Sequence, residues 1–67
     1  MNLYVSRKDP FKVHIRDERG KGFVFFCGGG AQCKNPKRDY DPIKEEDEHQ
    51  TICWKCRENY AKWKGQS

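Results

Sequence analysis

The chain is poor in hydrophobic residues and contains no long apolar run. Only 34% of its 67 residues are hydrophobic, whereas 36% are charged. The longest apolar stretch covers residues 23–27, far fewer than the ~20 residues that cross a bilayer or the ~7 to 15 that form the core of a signal peptide. We therefore expect a chain that is neither secreted nor inserted in a membrane, and that is cytoplasmic, or nuclear in a eukaryotic cell.

The same shortage limits what the folded chain can bury. A core in a chain below ~70 to 80 residues seldom contributes more than ~3 to 5 kcal/mol, so such chains usually need a disulfide, a metal ion or a partner. A ligand pocket of roughly 300 Å³ is also difficult to enclose with mostly charged side chains. We predict a single domain over residues 1–67, with no small-molecule substrate and no enzymatic activity.

The amino-terminal part shows the alternation of a strand. Residues 11–16 alternate apolar and polar side chains, which is the period of a half-buried β-strand. Phe11, Val13 and Ile15 are predicted to face inward. His14 then lies on the outward face, with no role implied.

A second apolar run predicts a hairpin. Residues 17–22 contain turn-forming residues with two glycines, and residues 22–27 are mostly β-branched and aromatic. This run is therefore predicted to pair with the preceding one as a β-hairpin within residues 1–27. Residues 3–5 are expected to add a short strand.

The carboxyl-terminal part changes to the period of a helix. Cys56, Tyr60 and Trp63 are spaced as one stripe of a helix over residues 54–64, and Gly65 is a typical helix stop. A helix of about ten residues is marginal in isolation. We therefore expect its first turn to be anchored by another group.

Charge is distributed in blocks along the chain. Residues 1–40 have a balance of +5, residues 41–50 of −4 and residues 51–67 of +3, which gives the formal net charge of +4. Residues 41–50, the acidic segment, open with Asp-Pro and contain few apolar residues. The acidic segment is predicted to be a solvated loop, or at most one helical turn.

Four cysteines form two pairs. Cys27 and Cys33 enclose five residues, Cys53 and Cys56 enclose two, and 19 residues separate the pairs. Two such pairs can each supply two thiolates to one tetrahedral zinc ion, and cysteines in a reducing compartment more often bind metal than form disulfides. We predict a zinc site over residues 27–56 with Cys27, Cys33, Cys53 and Cys56 as its ligands.

Three glycines, residues 28–30, follow the first cysteine. Their freedom at positive φ predicts a sharp turn there. Such a turn would allow the long spacer between the first two cysteines to close around one ion.

Other interpretations of the cysteines stay open. Cys53 and Cys56 could form a redox pair, although the usual βαβ context is absent, and disulfides would form in an exported protein. His49 could replace a weak ligand in a site of three cysteines and one histidine, and otherwise we expect it to be solvated. Four protein ligands predict a structural zinc ion, because catalytic zinc keeps an open position.

The stretch TICWKCRENYAKWKG, residues 51–65, resembles the second half of a GATA-type zinc finger, and of treble-clef fingers generally. In those fingers a Cys-x-x-Cys ends a strand and opens a helix that carries aromatic and basic residues. The resemblance implies a small α+β, metal-stabilised, treble-clef-like domain with a β-hairpin, a zinc knuckle and a carboxyl-terminal helix.

By the same resemblance, Cys53 and Cys56 are the helix-side ligands, Cys27 and Cys33 are the knuckle ligands, and Tyr60 is a packing residue of the helix. The chain departs from the GATA pattern in its first pair, which encloses five residues where that pattern has two. It also places the acidic segment where GATA fingers place a basic hairpin.

Basic and aromatic residues favour a regulatory module that binds DNA or RNA, as in transcription or replication control. Basic residues follow the second cysteine, cover the predicted helix and line the predicted hairpin, and Tyr40 and Trp54 are placed to stack on bases. The candidate binding residues are Lys34, Lys37, Arg38, Trp54, Lys55, Arg57, Lys62 and Lys64, with Arg7, Lys8, Lys12, Arg16, Arg19 and Lys21 along the hairpin.

The alternative is a protein–protein adaptor or inhibitor that docks on nucleic-acid machinery such as RNA polymerase. Alternating charge blocks suit a partner of complementary charge, and Trp54 and Trp63 would serve as anchors if exposed. We expect Trp63 to be buried instead, on the helix stripe that faces the zinc. The acidic segment would repel a nucleic-acid backbone unless it pointed away.

Overall fold

A computed structural model describes residues 2–19, 22–30 and 34–66, except the side chain of residue 66. Within these ranges the chain is a small α+β domain with a four-stranded sheet and a carboxyl-terminal helix. Its elements are β1 (Leu3–Ser6), β2 (Lys12–Ile15), α1 (Pro36–Asp39), β3 (Tyr40–Ile43), β4 (Thr51–Ile52) and α2 (Trp54–Gln66). None of the helices in the described ranges is long and apolar enough to span a bilayer.

β1 and β2 form an antiparallel pair at the centre of the sheet, whose strand order is β3-β1-β2-β4. Leu3 lies opposite Ile15, and Val5 lies opposite Val13. All four side chains are buried, as the alternation of apolar residues predicts. The short strand expected at residues 3–5 is therefore present, and it is the main partner of β2.

The predicted extended pairing of residues 11–16 with residues 22–27 is wrong. That segment contributes one isolated antiparallel bridge, between Arg16 and Phe25. The rest of this edge of β2 is occupied by β4, which pairs with Lys12 and Val13 in parallel. The competing strand comes from a distant part of the chain, so local pattern alone could not reveal it.

Phe11 was predicted to face inward, and this prediction is wrong. Its side chain is 65% exposed, because β2 begins at Lys12 and Phe11 lies in the turn before it. The period of the strand therefore applies to Val13 and Ile15, which are buried.

Part of the acidic segment is a strand. β3 begins at Tyr40 and pairs antiparallel with β1, with Asp41 opposite Val5, so the prediction of a loop or helical turn is wrong for residues 41–43. As an edge strand, β3 tolerates Pro42, which has no N–H to donate. Residues 44–50 form bends and turns and are almost entirely exposed.

A short helix that the sequence analysis did not predict precedes β3. α1 has a proline in its first turn, where the missing N–H costs nothing because that group has no partner inside a helix. The backbone N–H groups of Arg38 and Asp39 donate to the carbonyl of Asn35 at 3.1 and 3.2 Å.

The predicted carboxyl-terminal helix is confirmed, but it continues through Gly65 to Gln66, so the predicted stop at Gly65 is wrong. α2 follows β4 after a single residue, Cys53, and its stripe packs on the domain as expected. Tyr60 and Trp63 contact Phe26, with ring centroids 5.4 and 5.7 Å apart respectively. The side-chain amide of Asn59 also donates a 2.7 Å hydrogen bond to the carbonyl of Phe26, which fixes the helix to the segment before the glycines.

One face of the sheet carries the polar and aromatic residues that concern function. Tyr4 lies opposite His14 on β2 and opposite Pro42 on β3. Because side chains alternate between faces, these three residues project to the same side, away from the buried aliphatic residues. The Phe25 ring covers this face, since its centroid lies 4.8 Å from that of His14 and 6.2 Å from that of Tyr4.

Candidate metal centre

Four metal-binding side chains converge beside the end of β2. A ring nitrogen of His14 and the Sγ atoms of Cys27, Cys53 and Cys56 all lie within 4.8 Å of one another. Three of these residues are half-buried and Cys56 is fully buried. This set of donors is close enough to hold one metal ion.

The two distances from His14 to cysteine sulfurs match a tetrahedral site. With metal–sulfur bonds of about 2.3 Å and metal–nitrogen bonds of about 2.05 Å, a tetrahedral zinc ion separates a nitrogen from a sulfur by about 3.6 Å. Nδ1 of His14 lies 3.6 Å from Sγ of Cys27 and 3.7 Å from Sγ of Cys56. The His14 ring therefore presents Nδ1 to the sulfurs at the separation that a shared ion requires.

Two segments of chain reach the edge of β2 on either side of His14. One carries Cys53 and Cys56, and the other carries Cys27. On one side the N–H of Cys53 donates to the carbonyl of Val13 at 2.7 Å, and on the other the N–H of Phe26 donates to the carbonyl of Ile15 at 2.9 Å. His14 lies between the two accepting residues. The thiols on both segments are thereby placed around the imidazole.

The environment of His14 favours its metal-binding form. Burial lowers the pKa of His14 below its ordinary value, and the charge of Lys12 lowers it further, against the smaller opposing effect of Asp9. The imidazole also stacks on Phe25 at an interplanar angle of 17°. A neutral imidazole held in one orientation is the state that coordinates a metal.

The glycines after Cys27 turn the chain as predicted. Gly28 and Gly30 have φ of +90° and +86°, a conformation that other residues rarely adopt. The N–H of Gly28 donates to the carbonyl of Phe25, and the N–H of Phe25 donates to the carbonyl of Gly29, both at 2.8 Å. This turn presents the Cys27 thiol, and a Cβ on Gly30 would lie 3.2 Å from the Phe25 ring.

Cys53 and Cys56 occupy the start of α2, as the Cys-x-x-Cys spacing indicates. The carbonyl of Cys53 accepts the N–H of Arg57 at 2.9 Å, which makes Cys53 the residue that caps the helix. Burial raises the pKa of the Cys53 thiol, but hydrogen bonds from the N–H groups of Cys56 and Lys55 outweigh it, and the pKa is lowered. The lowered pKa makes this thiol easier to deprotonate when a metal ion binds.

Cys56 differs from its neighbour because it is completely buried. Burial raises the pKa of its thiol to about 12, and the hydrogen bond with the Cys27 thiol raises it as well. Without a cation beside it, Cys56 therefore keeps its proton, and a metal ion must displace that proton in order to bind.

The other residues of the predicted site have different outcomes. Cys33 lies outside the described residues, so its predicted ligand role stays a prediction. The alternative in which His49 is a ligand is wrong for the described cluster, whose histidine is His14. The side chain of His49 is 75% exposed and pairs with Glu48 at 3.4 Å. Cys27, Cys53 and Cys56 are free thiols.

His14 was not predicted from the sequence as a ligand. The alternation of side chains along β2 correctly places His14 on the face opposite to Val13 and Ile15. The prediction that this face points to solvent, with no role for His14, is wrong. The face is covered by Phe25, which belongs to a segment that was assigned to the other strand of a hairpin. Only the true path of residues 22–30 could have revealed the ligand.

The candidate binding residues before β3 lie on the surface. Lys34, Lys37 and Arg38 are exposed around α1. Arg38 pairs with its neighbour Asp39 at 3.5 Å, whereas Lys37 lines a pocket beside Tyr40.

The candidate residues of α2 are also exposed. Trp54 is 67% exposed, and the ammonium of Lys55 lies 6.0 Å from its ring centroid. Lys62 pairs with Glu58 one helical turn earlier at 3.2 Å. Arg57 and Lys64 complete the exposed set, whereas Trp63 is half-buried against Phe26. Lys21, a candidate of the predicted hairpin, lies outside the described residues.

Comparisons with known proteins do not extend this picture. No model of a protein family matches the chain, and no curated protein or solved structure is detectably similar to it. The structure therefore shows a small α+β domain in which one histidine and three cysteines are close enough to bind a metal ion.

Proposed function

We propose that His14, Cys27, Cys53 and Cys56 bind one zinc ion. The observation that carries this proposal is the convergence of their four donor atoms within 4.8 Å. Three thiolates and one imidazole form a usual zinc-binding set. The low pKa of His14 and of Cys53 supports it, since both groups must be deprotonated in the complex.

The proposed ion is structural, and we propose no enzymatic activity. Four protein donors fill a tetrahedral shell, whereas catalytic zinc keeps a position for water or substrate. The ligands also join the main elements of the domain, because His14 is on β2, Cys56 is on α2 and Cys27 is on the loop between β2 and α1. Zinc binding would therefore hold together a chain with a small core.

We propose that the zinc-bound domain binds nucleic acid, and that the finger-like helix resembling GATA and treble-clef fingers contributes to the binding surface. Three thiolates and one divalent ion change the formal charge from +4 to +3, so the loaded domain stays basic. Seven of the 14 Lys and Arg residues lie on α2 and around α1, whereas four of the ten acidic residues lie in the exposed loop 44–50. A basic surface of this kind attracts phosphates.

The first experiment measures metal content and its effect on folding. The full chain is purified without added metal, and zinc is measured by elemental analysis. We expect one zinc ion per chain, and loss of the helical circular dichroism when a strong chelator removes it. A chain that contains no zinc and keeps its helix in the chelator would overturn the zinc proposal.

The second experiment measures nucleic-acid binding at two salt concentrations. The zinc-loaded chain is titrated with a short fluorescent duplex and a single strand at 50 and 200 mM salt. Two or more phosphate contacts should weaken binding about tenfold or more over this range. Arg57→Ala should weaken binding, whereas Lys44→Ala, a matched loss of charge in the acidic segment, should change it little. Absence of binding at 50 mM salt would overturn this function.

One observation favours a second candidate, an adaptor that docks on a protein. Phe11 and Trp54 are the two large hydrophobic side chains most exposed among the described residues, at 65% and 67%. Aromatic side chains of this kind serve as anchors in protein interfaces. If neither nucleic acid binds, and if Trp54→Ala weakens binding to a component of transcription or replication machinery, the adaptor function replaces the first.

A further inference from the structure

A second feature of this face of the sheet is an open pocket lined by residues of β1 and β3. It has a volume of about 510 Å³, within the range of roughly 300 to 1,000 Å³ that small ligands occupy. Its walls include Tyr4, Phe23, Tyr40 and Pro42, with Arg16 and Lys37 at its sides. The pocket thus combines aromatic surfaces with positive charge.

Arg16 is the unusual member of this lining. Its Nε atom is buried and has no hydrogen-bond partner among the described residues. A buried donor without a partner costs roughly 1 to 3 kcal/mol, and more when the group is charged. The guanidinium lies 5.1 Å from the centroid of the Phe23 ring, which holds it at the pocket. Arg16 therefore brings a positive charge to the pocket wall.

The aromatic walls form one connected cluster. The ring centroid of Phe23 lies 5.1 Å from that of Tyr4 and 5.6 Å from that of Tyr40. A flat, uncharged group such as a base can stack on these rings. Stacking does not select one base over another, because it involves no hydrogen bonds to the base.

We propose that this pocket binds one unstacked nucleotide of a single-stranded nucleic acid. The base stacks against Phe23 and Tyr40, and the phosphate lies between Arg16 and Lys37. Among the described residues that line the pocket, both charged ones are cations, so the charge there is complementary to an anion attached to a flat ring. This inference deepens the proposed function, on which it rests, by assigning the substrate class and the place of contact.

The surroundings favour a polynucleotide over a single phosphorylated side chain. Lys34 and Arg38 are exposed beside Lys37 at α1, and they extend the positive surface beyond the pocket. Neighbouring phosphates of a strand would lie along them. A duplex cannot use the pocket in this way, because its bases are paired and stacked and must be taken out at a cost of a few kcal/mol.

The pocket is also linked to the metal centre through Phe25. The Phe25 ring stacks on His14 at 4.8 Å and contacts Tyr40 at 5.0 Å between ring centroids. A ligand that fixes His14 therefore fixes the ring behind the pocket wall. Binding to the pocket should accordingly require the metal-loaded chain.

The test uses the full zinc-loaded chain with a fluorescent eight-nucleotide single strand, a duplex of the same sequence and a phosphotyrosine peptide. Arg16→Gln and Lys37→Gln alter the two sides of the pocket, and Lys44→Gln removes the same charge from the acidic segment as a control. Zinc content and circular dichroism are measured for each variant, and Lys37→Gln serves alone if Arg16→Gln does not fold.

We expect the single strand to bind at least tenfold more tightly than the duplex. Arg16→Gln and Lys37→Gln should each weaken that binding about tenfold or more, because a charged contact is lost, whereas Lys44→Gln should change it less than about twofold. Equal effects of the three substitutions, or tighter binding of the duplex, would overturn the pocket assignment and leave the proposed function intact. Tighter binding of the phosphotyrosine peptide than of the strand would overturn it in favour of a protein ligand. Binding of no nucleic acid would overturn both.

Discussion

The two histidines of the chain lie in opposite surroundings, and so do its two tryptophans. His14 is half-buried, stacks on Phe25 and points Nδ1 at two thiols, whereas His49 is exposed beside Glu48. Trp63 packs on Phe26, whereas Trp54 projects into solvent at the start of the same helix. One histidine and one tryptophan therefore pack within the domain, whereas the other histidine and the other tryptophan lie on its surface.

This comparison shows that position in the fold selects a ligand, and closeness in sequence does not. His49 is four residues from Cys53, and His14 is 13 residues from Cys27. Only His14 lies on a strand whose edge receives both cysteine-bearing segments. Substitution of the interior histidine or tryptophan should therefore have a larger effect than substitution of the exposed one. Cys33 is the corresponding comparison for the proposed cysteine ligands.

The largest effect is expected from loss of the metal centre itself. Cys56→Ser should abolish folding at neutral pH, because structural zinc contributes roughly 10 to 16 kcal/mol in small zinc domains, more than a domain of this size has in total. Zinc content and helical circular dichroism should fall together in this variant.

The matched control is Cys33→Ser. The four described donors are close enough to hold an ion without Cys33, so on the proposed ligation this variant should keep one zinc ion per chain and its helix. If Cys33→Ser loses its zinc while His14→Ala keeps it, the set of four cysteines predicted from the spacing is correct and the histidine is not a ligand.

The next effect separates the two histidines. His14→Ala should weaken zinc binding by more than about a hundredfold, because even residues that only orient a ligand are worth about 10- to 100-fold. His49→Ala should leave the affinity unchanged. Competition with a chromophoric chelator measures both values.

A spectroscopic comparison covers the case in which His14→Ala does not fold. The absorption of a bound Co²⁺ ion responds to the replacement of sulfur by nitrogen in its shell. The wild-type chain should show the spectrum of three thiolates and one imidazole. A spectrum of four thiolates would contradict the ligation by His14.

A smaller effect is expected from pH. Burial raises the pKa of Cys56 to about 12, and in an unfolded chain a thiol has its ordinary pKa of ~8.5, so in either metal-free state Cys56 holds a proton at pH 7 and releases it on binding. The apparent zinc affinity should therefore rise with pH between 7 and 8, about tenfold per unit for each proton released. The lowered pKa of His14 keeps it neutral in this window.

Titration of zinc at pH 7.0, 7.5 and 8.0 measures this slope, and proton release in weak buffer counts the protons directly. His49→Ala should show the same slope as the wild-type chain. An affinity independent of pH would show that Cys56 is already deprotonated, which the buried surroundings of its thiol do not allow.

The smallest effect separates the two tryptophans. Trp63→Ala should lower the free energy of unfolding by about 1 to 2 kcal/mol, because a half-buried aromatic side chain loses its packing on Phe26 and Tyr60. Trp54→Ala should change it by less than about 0.5 kcal/mol, as exposed substitutions do. Denaturant titration of both zinc-loaded variants gives the values, and equal losses would contradict the assignment of Trp63 to the packed side.

The sequence predicted the parts of the fold that depend on local pattern. The stripe of Cys56, Tyr60 and Trp63 predicted which side of the carboxyl-terminal helix packs. The Cys-x-x-Cys spacing predicted the corner between strand and helix. The glycines after Cys27 predicted the turn with positive φ. In each case the decisive residues are within about ten positions of one another.

The features that the sequence did not predict depend on distant residues. β4 pairs in parallel with β2, although Ile52 and Val13 are far apart in the chain, and this pairing displaces the expected hairpin. His14 became a candidate ligand because that pairing brings Cys53 next to it and because the path of residues 22–30 brings Cys27 to it. A pattern of alternating residues specifies the two faces of a strand, but it contains no information about what will cover the second face.

The four donors lie on both sides of one exposed loop, which affects what happens when the chain is cut there. His14 and Cys27 precede the exposed loop 44–50, and Cys53 and Cys56 follow it. If the proposed zinc site is formed, a protease that cut this loop would leave His14, Cys27 and Cys33 on one peptide and Cys53 and Cys56 on another, so that neither peptide holds all four proposed ligands. The bound metal would then join two separate polypeptides, and the cut would stay hidden until the ion was removed.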